Sequence, residues 1–222
     1  MIWKVKMKIL KEGFPYILPS FFAGVILIIG SIIFITFKPV YLSCIALGSI
    51  LIIFAVFCVF FFRDPAISIT QGEGLILSPC NGTVMEIIKD GGKTVIRTFL
   101  SVFNVHLQRS PVSGKVIDVN HKDGKFLPAW DSNAHIENEQ NLITIEGKGD
   151  EFPGIYIVQQ IAGLVARRCV TWVKTGDVLK AGDKIGMIKF SSQIDLHLPD
   201  SFNISVKPGD KIRAGITVVA GK

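Results

Sequence analysis

The chain carries no charged side chain between Tyr16 and Phe37, and none again between Val40 and Phe62. A surface helix of that length keeps a polar face toward water, so these two stretches are excluded as ordinary amphipathic helices. Each run exceeds twenty residues. At ~1.5 Å of rise per residue, about 20 residues cross a ~30 Å hydrocarbon core, and both runs meet that length. A cleaved signal peptide is the competing assignment. Its apolar core is shorter, it ends at a small-residue cleavage site, and a second run of equal length does not follow it directly.

Cysteine is sparse and badly spaced for chemistry. Of the four, Cys44 and Cys58 fall in the apolar runs while Cys80 and Cys169 stand singly. No C-x-x-C spacing exists, which excludes a zinc knuckle and a dithiol redox pair; no metal is expected. A cytoplasmic setting would also exclude structural disulfides.

Charge, where present, is arranged around the apolar runs. Lys4, Lys6, Lys8 and Lys11 precede the first, Arg63 follows the second, and Lys38 alone marks the turn between them. The positive-inside rule then places both flanks in the cytoplasm. The expected organisation is a basic segment and transmembrane hairpin over residues 1–64, then one cytoplasmic domain over 65–222. A net charge of +6 and a pI near 9.2 suit a domain lying against an anionic leaflet, and a membrane rather than a nucleic acid is the expected partner.

Past Pro65 the sequence has no convincing helical periodicity. Thr94–Leu100, Asn141–Glu146 and Ile155–Ile161 are short, rich in β-branched residues and bounded by Gly, Asp, Asn and Pro. Two internal echoes are visible. Lys174-Thr-Gly-Asp-Val-Leu-Lys-Ala-Gly is answered by Lys207-Pro-Gly-Asp-Lys-Ile-Arg-Ala-Gly, and Gly82-Thr-Val-Met-Glu-Ile by Gly114-Lys-Val-Ile-Asp-Val. The fold class expected is two transmembrane helices followed by a mainly β domain, a small sandwich or half-barrel with internal turn–strand repeats. Lipoyl- and biotinyl-type carriers share this pattern. They need a modifiable lysine at a hairpin tip, and none stands out.

A constellation of segments carries the chemistry: Phe61-Phe-Arg-Asp-Pro65, Leu77-Ser-Pro-Cys-Asn-Gly82, Phe99–Gly114 with its core Phe-Asn-Val-His-Leu-Gln-Arg, Gly124–Trp130, Glu137-Asn-Glu139, Gln160–Arg168 and Phe190-Ser-Ser-Gln-Ile-Asp195. In this order and spacing they closely resemble the short, membrane-anchored form of the phosphatidylserine decarboxylase family, across essentially the whole soluble domain. The resemblance implies removal of CO2 from the serine head group of a phospholipid, a diacyl lipid or an archaeal ether equivalent. It also implies a pyruvoyl group made from the chain's own serine. Decarboxylating an amino acid needs an electron sink conjugated to its amine, and no ordinary side chain offers one.

Carried over residue by residue, the nucleophile is Ser192 and the attacked carbonyl is that of Ser191. Cleavage gives a β chain ending at Ser191 and a short α chain that begins at the modified position and stays associated with it. His106 is the acid–base residue, since its ordinary pKa of about 6.5 suits proton transfer near neutrality. His121, His135 and His197 read as surface residues. Arg167 and Arg168 are either an exposed pair or, within their apolar run, substrate-binding cations for a phosphate or carboxylate. Two positions depart from the family pattern. Asn81 stands where an Asp would orient the histidine, with Asp131 a possible substitute, and Ser191 stands where a glycine would ease the strained backbone. An uncleaved lipid-binding or structural homologue is therefore the alternative function, and self-association of apolar strand edges, a possible homo-oligomer, is left open.

Overall fold

The computed structural model describes residues 7–125, 127–128, 133–163, 168–190 and 192–222. The chain divides into two compact units, Met1–Ala66 and Ile67–Lys222. In the first, strand β1 (Met7–Ile9) precedes helix α1 (Phe14–Gly30), and helix α2 (Lys38–Phe61) returns to strand β2 (Arg63–Pro65). The apolar helical spans Lys11–Phe34 and Lys38–Phe61 have 24 residues each, enough to cross a bilayer core. Large apolar side chains such as Ile26, Ile33 and Ile53 stay exposed on them, as a lipid-facing surface requires. The two helices touch at glycines. A Cβ on Gly24 would lie 2.8 Å from the Gly48 carbonyl oxygen, and one on Gly48 would lie 2.8 Å from that of Gly24; only small residues allow so close a crossing. Strands β1 and β2 pair antiparallel with Lys8 opposite Asp64, so both flanks of the hairpin emerge on one side.

Among the described residues the second unit is built of β strands with one helical turn, α3 (Ala134–Glu137). Its strands are β3 (Ile76–Leu77), β4 (Gly82–Asp90), β5 (Lys93–Leu100), β6 (Leu107–Arg109), β7 (Gly114–Lys122), β8 (Gln140–Gly147), β9 (Ile155–Ala162), β10 (Cys169–Thr171), β11 (Val178–Leu179), β12 (Lys184–Ile188), β13 (Ser192–Pro199), β14 (Asn203–Ile204), β15 (Lys211–Ile212) and β16 (Val218–Gly221). A curled eight-stranded sheet runs in the order β11-β7-β8-β9-β13-β5-β4-β15, with two small sheets, β10-β12-β6 and β14-β16-β3. The half-barrel expectation holds.

Both internal echoes are the visible part of a twofold repeat. Read inward from its two edges, the large sheet matches β11 with β15, β7 with β4, β8 with β5 and β9 with β13, and the two small sheets match strand for strand. One repeat is β6 to β12. The other is β3 to β5 continued by β13 to β16, with the first repeat inserted between its halves. The repeats lock together by reciprocal bonds: Leu77 N donates to Pro111 O at 2.9 Å, and Arg109 N donates to Pro79 O at 2.8 Å. Each belongs to a Ser-Pro-x-x-Gly segment whose serine hydroxyl donates to the carbonyl two residues on, Ser78 to Cys80 and Ser110 to Val112, both at 2.7 Å. In the matching turns Lys174 N and Lys207 N donate to Asp177 and Asp210 at 2.9 Å, while Gly176 and Gly209 take φ of 99° and 93°, a region closed to most side chains.

The core lies between the large sheet and the small ones, built on Ile96, Ile143, Tyr156, Val158, Leu196 and Val219. Strand β13, at the sheet centre, turns Ile194, Leu196 and Leu198 into this core. Alternation then sends Ser192 to the same face and Gln193, Asp195 and His197 to the other. Asp195 is buried there with its charge matched, accepting from Arg97 Nε at 3.0 Å and Gln193 Nε2 at 2.6 Å.

Gly82 and Gly114 hold equivalent places at the starts of β4 and β7. A Cβ would meet the Phe99 carbonyl oxygen at 2.3 Å in one and that of Glu146 at 2.2 Å in the other. Replacement of either by alanine is expected to cost about 1–3 kcal/mol, by similar amounts. Denaturant unfolding of the two variants checks this, and a loss at one position only would break the equivalence.

Candidate functional site

Ser192 opens β13 and faces Leu100 at the end of β5 and Ala162 at the end of β9. The same end of the sheet holds the start of β4, where Thr83 faces Phe99, and the start of β8, where Gln140 faces both Ile161 and Lys122. Antiparallel pairing thus gathers the segments before β4 and β8 and those after β5, β7 and β9 around Ser192. These are the segments that carry the motifs.

Ser192 is fully buried, and its Oγ has no hydrogen-bond partner among the described residues. Leaving a hydroxyl so costs about 1–3 kcal/mol, and such a group calls for an explanation. Two residues upstream, Phe190 adopts φ of 55°, a left-handed conformation that costs a non-glycine residue roughly 1–2 kcal/mol. The sequence reading sought backbone freedom at 191; the structure places left-handed backbone at Phe190. Ser191 itself lies outside the described residues, as do Arg167 and Asp131.

His106 is also buried, at 1% exposure. Its Nδ1 is 3.0 Å from the Asn104 carbonyl oxygen. A carbonyl only accepts, so Nδ1 carries the proton and the buried Nε2 is the basic nitrogen of the neutral ring. The orienting group is therefore a backbone carbonyl. Asn81, expected to orient the ring, instead donates from Nδ2 to the carbonyl of Val105 at 3.4 Å, steadying the chain beside the histidine. The His106 carbonyl accepts from Ile188 N at 3.3 Å. Thus β6 pairing with β12 joins the histidine to the strand that leads into Phe190 and Ser192.

Sequence reasoning missed the polar scaffold behind this arrangement. Gln108 Nε2 donates to the His106 carbonyl at 2.7 Å, Gln160 Nε2 donates to Gln108 Oε1 at 2.9 Å, and Asn141 Nδ2 donates to Gln160 Oε1 at 3.2 Å. All three side chains are buried. Asn138 is a second anchor: it accepts from Leu127 N at 2.8 Å and donates to Leu127 O at 2.8 Å and Ala162 O at 2.7 Å. It ties the loop after β7 to the residue facing Ser192. The available signal was polar side chains within otherwise apolar strands, Gln108 in Leu-Gln-Arg and Gln160 in Ile-Val-Gln-Gln-Ile.

Arg168 is exposed, and its carbonyl accepts from Lys189 N at 3.3 Å. Burial pushes the Cys80 thiol up to about 12, and burial followed by the Glu139 charge raises Cys169 as well. Neither supplies a thiolate at neutral pH. His121 is exposed and raised chiefly by its hydrogen bond with Asn141. His197 is not the surface residue expected. It is half-buried, its Nε2 lies 2.9 Å from Gln159 Oε1, and burial lowers its pKa against the opposing effect of Asp195. An open cavity of about 710 Å³ lies at the other end of the sheet, lined by residues that include Ser113, Phe152 and Lys180.

Asn138→Ala should leave three backbone groups unpaired and lower stability by about 3 kcal/mol, read by denaturant unfolding. An unchanged midpoint would remove Asn138 as the loop's anchor. His197 contributes a pH slope: its pKa is depressed in the fold, so stability is lost as pH falls through the unfolded value of about 6.5. In His197→Gln the decline in melting temperature below that pH should flatten. A slope equal to the parent's would assign it to other groups.

A family model described as phosphatidylserine decarboxylase matches residues 54–220. A phosphatidylserine decarboxylase proenzyme of Solibacter usitatus is 39% identical over 170 residues, covering 77% of this chain and 81% of the relative. One of Carboxydothermus hydrogenoformans is 37% identical over 218 residues, covering 94% of each. A chain of Methanocaldococcus jannaschii, provisionally named an archaetidylserine decarboxylase proenzyme, is 39% identical over 189 residues, covering 75% of this chain and 90% of the relative. With a family match that takes in the sheet, Ser192 and His106, this chain belongs to the phosphatidylserine decarboxylase family.

Proposed function

We propose that the chain is a proenzyme that cuts itself before Ser192 and then removes CO2 from the serine head group of a membrane phospholipid. The observation that carries the reading is the buried Ser192 hydroxyl without a hydrogen-bond partner among the described residues, downstream of a left-handed Phe190. In self-cleavage, Ser192 Oγ adds to the carbonyl carbon of Ser191, its proton passing through His106 Nε2 to the departing amide nitrogen. The peptide bond becomes an ester with a free amine on residue 192. Removal of the Cα proton of residue 192 then breaks the Cβ–Oγ bond, and Ser191 leaves as a carboxylate. Water uptake with loss of ammonia completes the change at position 192.

Residue 192 fits a pyruvoyl group by its place, fully buried at the head of β13 between Leu100 and Ala162, and that group would supply the electron sink for the substrate's amine. The remaining work falls to this chain's side chains. His106, held through Nδ1, returns a proton to the α-carbon once CO2 has left. Asn81 holds the His106 segment, and Arg167 and Arg168 receive the anionic phosphate or carboxylate of the head group. Strand β13 pairs along its length with β5 and with β9, which supports lasting association of the two cleaved chains. The diacyl and archaeal ether lipids share this head group, so one site serves either backbone. Sidedness follows from the lysines before α1 and Arg63 after α2, which favour a cytoplasmic domain.

The test is release of labelled CO2 from carboxyl-labelled phosphatidylserine by the purified chain. Ser192→Ala is expected to abolish it and His106→Ala to reduce it by at least about 10²-fold. Release by Ser192→Ala at the parent rate would overturn the assignment of the nucleophile, and full activity of His106→Ala would remove the histidine.

A further inference from the structure

The structure assigns a second contact with the bilayer: we propose that the end of the β domain holding Ser192 docks on the lipid surface through Phe103 and Ile136. This rests on the reading of the site as one for a membrane phospholipid. Phe103 is 68% exposed and Ile136 is 56% exposed, although both belong to well-tied segments. Phe103 tips the loop after β5, closed by Asn104 N donating to Ser101 O at 2.8 Å and Ser101 N donating to Asn104 Oδ1 at 2.9 Å. Ile136 lies in α3, whose carbonyls are held by Lys122 Nζ on Ile136 O at 2.9 Å and Gln159 Nε2 on His135 O at 3.3 Å. A fixed, exposed phenylalanine and isoleucine are costly in water and suit the upper acyl region of a bilayer.

Both sit at the end where β5 finishes and β8 begins, the end that carries Ser192. Cations there match the occupant: Lys122 and Arg168 are exposed, within reach of anionic head groups when the apolar tips insert, whereas Lys125 is paired with Glu137 at 2.6 Å. The occupant is the bilayer that contains the substrate, because the same chain carries two helices long enough to span it. Val178, 77% exposed, offers the contrast: it faces Lys115 at the start of β7, the end of the sheet away from Ser192.

The test uses the full chain in phosphatidylcholine vesicles containing long-chain phosphatidylserine, against a water-soluble short-chain phosphatidylserine. Phe103→Asp and Ile136→Asp should each slow decarboxylation of the long-chain lipid by about tenfold while changing the short-chain rate by less than about twofold. Equal losses on both substrates, or none on either, would overturn the proposal. Phe103→Trp provides a readout that needs no activity. Lipids brominated high on the acyl chain should quench its fluorescence beyond the parent's, and Val178→Trp should show no such excess. Equal quenching of the two, or none at Phe103→Trp, would overturn docking even if the decarboxylase reading itself fails.

Discussion

A hydroxyl buried without a partner persists only where the surrounding fold over-determines its position. At Ser192 that constraint is supplied by the centre of an eight-stranded sheet, where β13 pairs with β9 on one side and with β5 on the other. The centre is rigid because the sheet is a repeat joined to itself. The exchange between Leu77 and Pro111 and between Arg109 and Pro79 fastens the two Ser-Pro-x-x-Gly segments back to back. One of these holds Asn81, and the other follows directly from the strand after His106. The bonds that join the repeats therefore also fix the distance over which the site is assembled.

The twofold repeat is interrupted at the start of β13, beside Ser192. The repeat from β6 to β12 is inserted between β5 and β13 of the other, so the hairpin that joins β8 to β9 in one repeat is opened in the other. Opening it frees the start of β13 from a tight turn, and Phe190 and Ser192 occupy the gap. The costs here, a buried hydroxyl with no hydrogen-bond partner among the described residues and a left-handed phenylalanine, amount to a few kcal/mol. They are local, and satisfied polar groups surround them: Gln108, Gln160, Asn141 and Asn138 each bond within the scaffold. The same scaffold lets a backbone carbonyl do part of what a carboxylate at position 81 would do. It fixes the tautomer of His106, although it supplies no full charge to stabilise an imidazolium.

The sequence made some of this legible and hid the rest for physical reasons. The apolar runs announced α1 and α2 because an uncharged stretch of that length has few other homes. The paired Lys-x-Gly-Asp turns and Gly82 and Gly114 announced the repeat, since glycine at a closed φ or beneath a carbonyl cannot be replaced. Ser192 and His106 stand out in the sequence through their motif, and both are buried in the fold. The single turn α3 was missed because four residues carry no periodicity. Gln108, Gln160 and Asn138 were missed because the bonds that tie them in, Gln160 to Gln108 and Asn138 to Leu127 and Ala162, join residues 52, 11 and 24 positions apart. His197 reads as a surface residue because it is a polar side chain in an alternating segment, whereas the central strand that holds it is covered on both faces.

The central claim is that the fold strains and isolates Ser192 so that the chain cuts itself there. Intact mass analysis of the full chain, purified from membranes and denatured, tests it most directly. The account predicts two polypeptides, one ending at Ser191 and one running from a pyruvoyl-blocked position 192 to Lys222. A single uncut chain, or a cut elsewhere that leaves Ser192 unmodified, would contradict it.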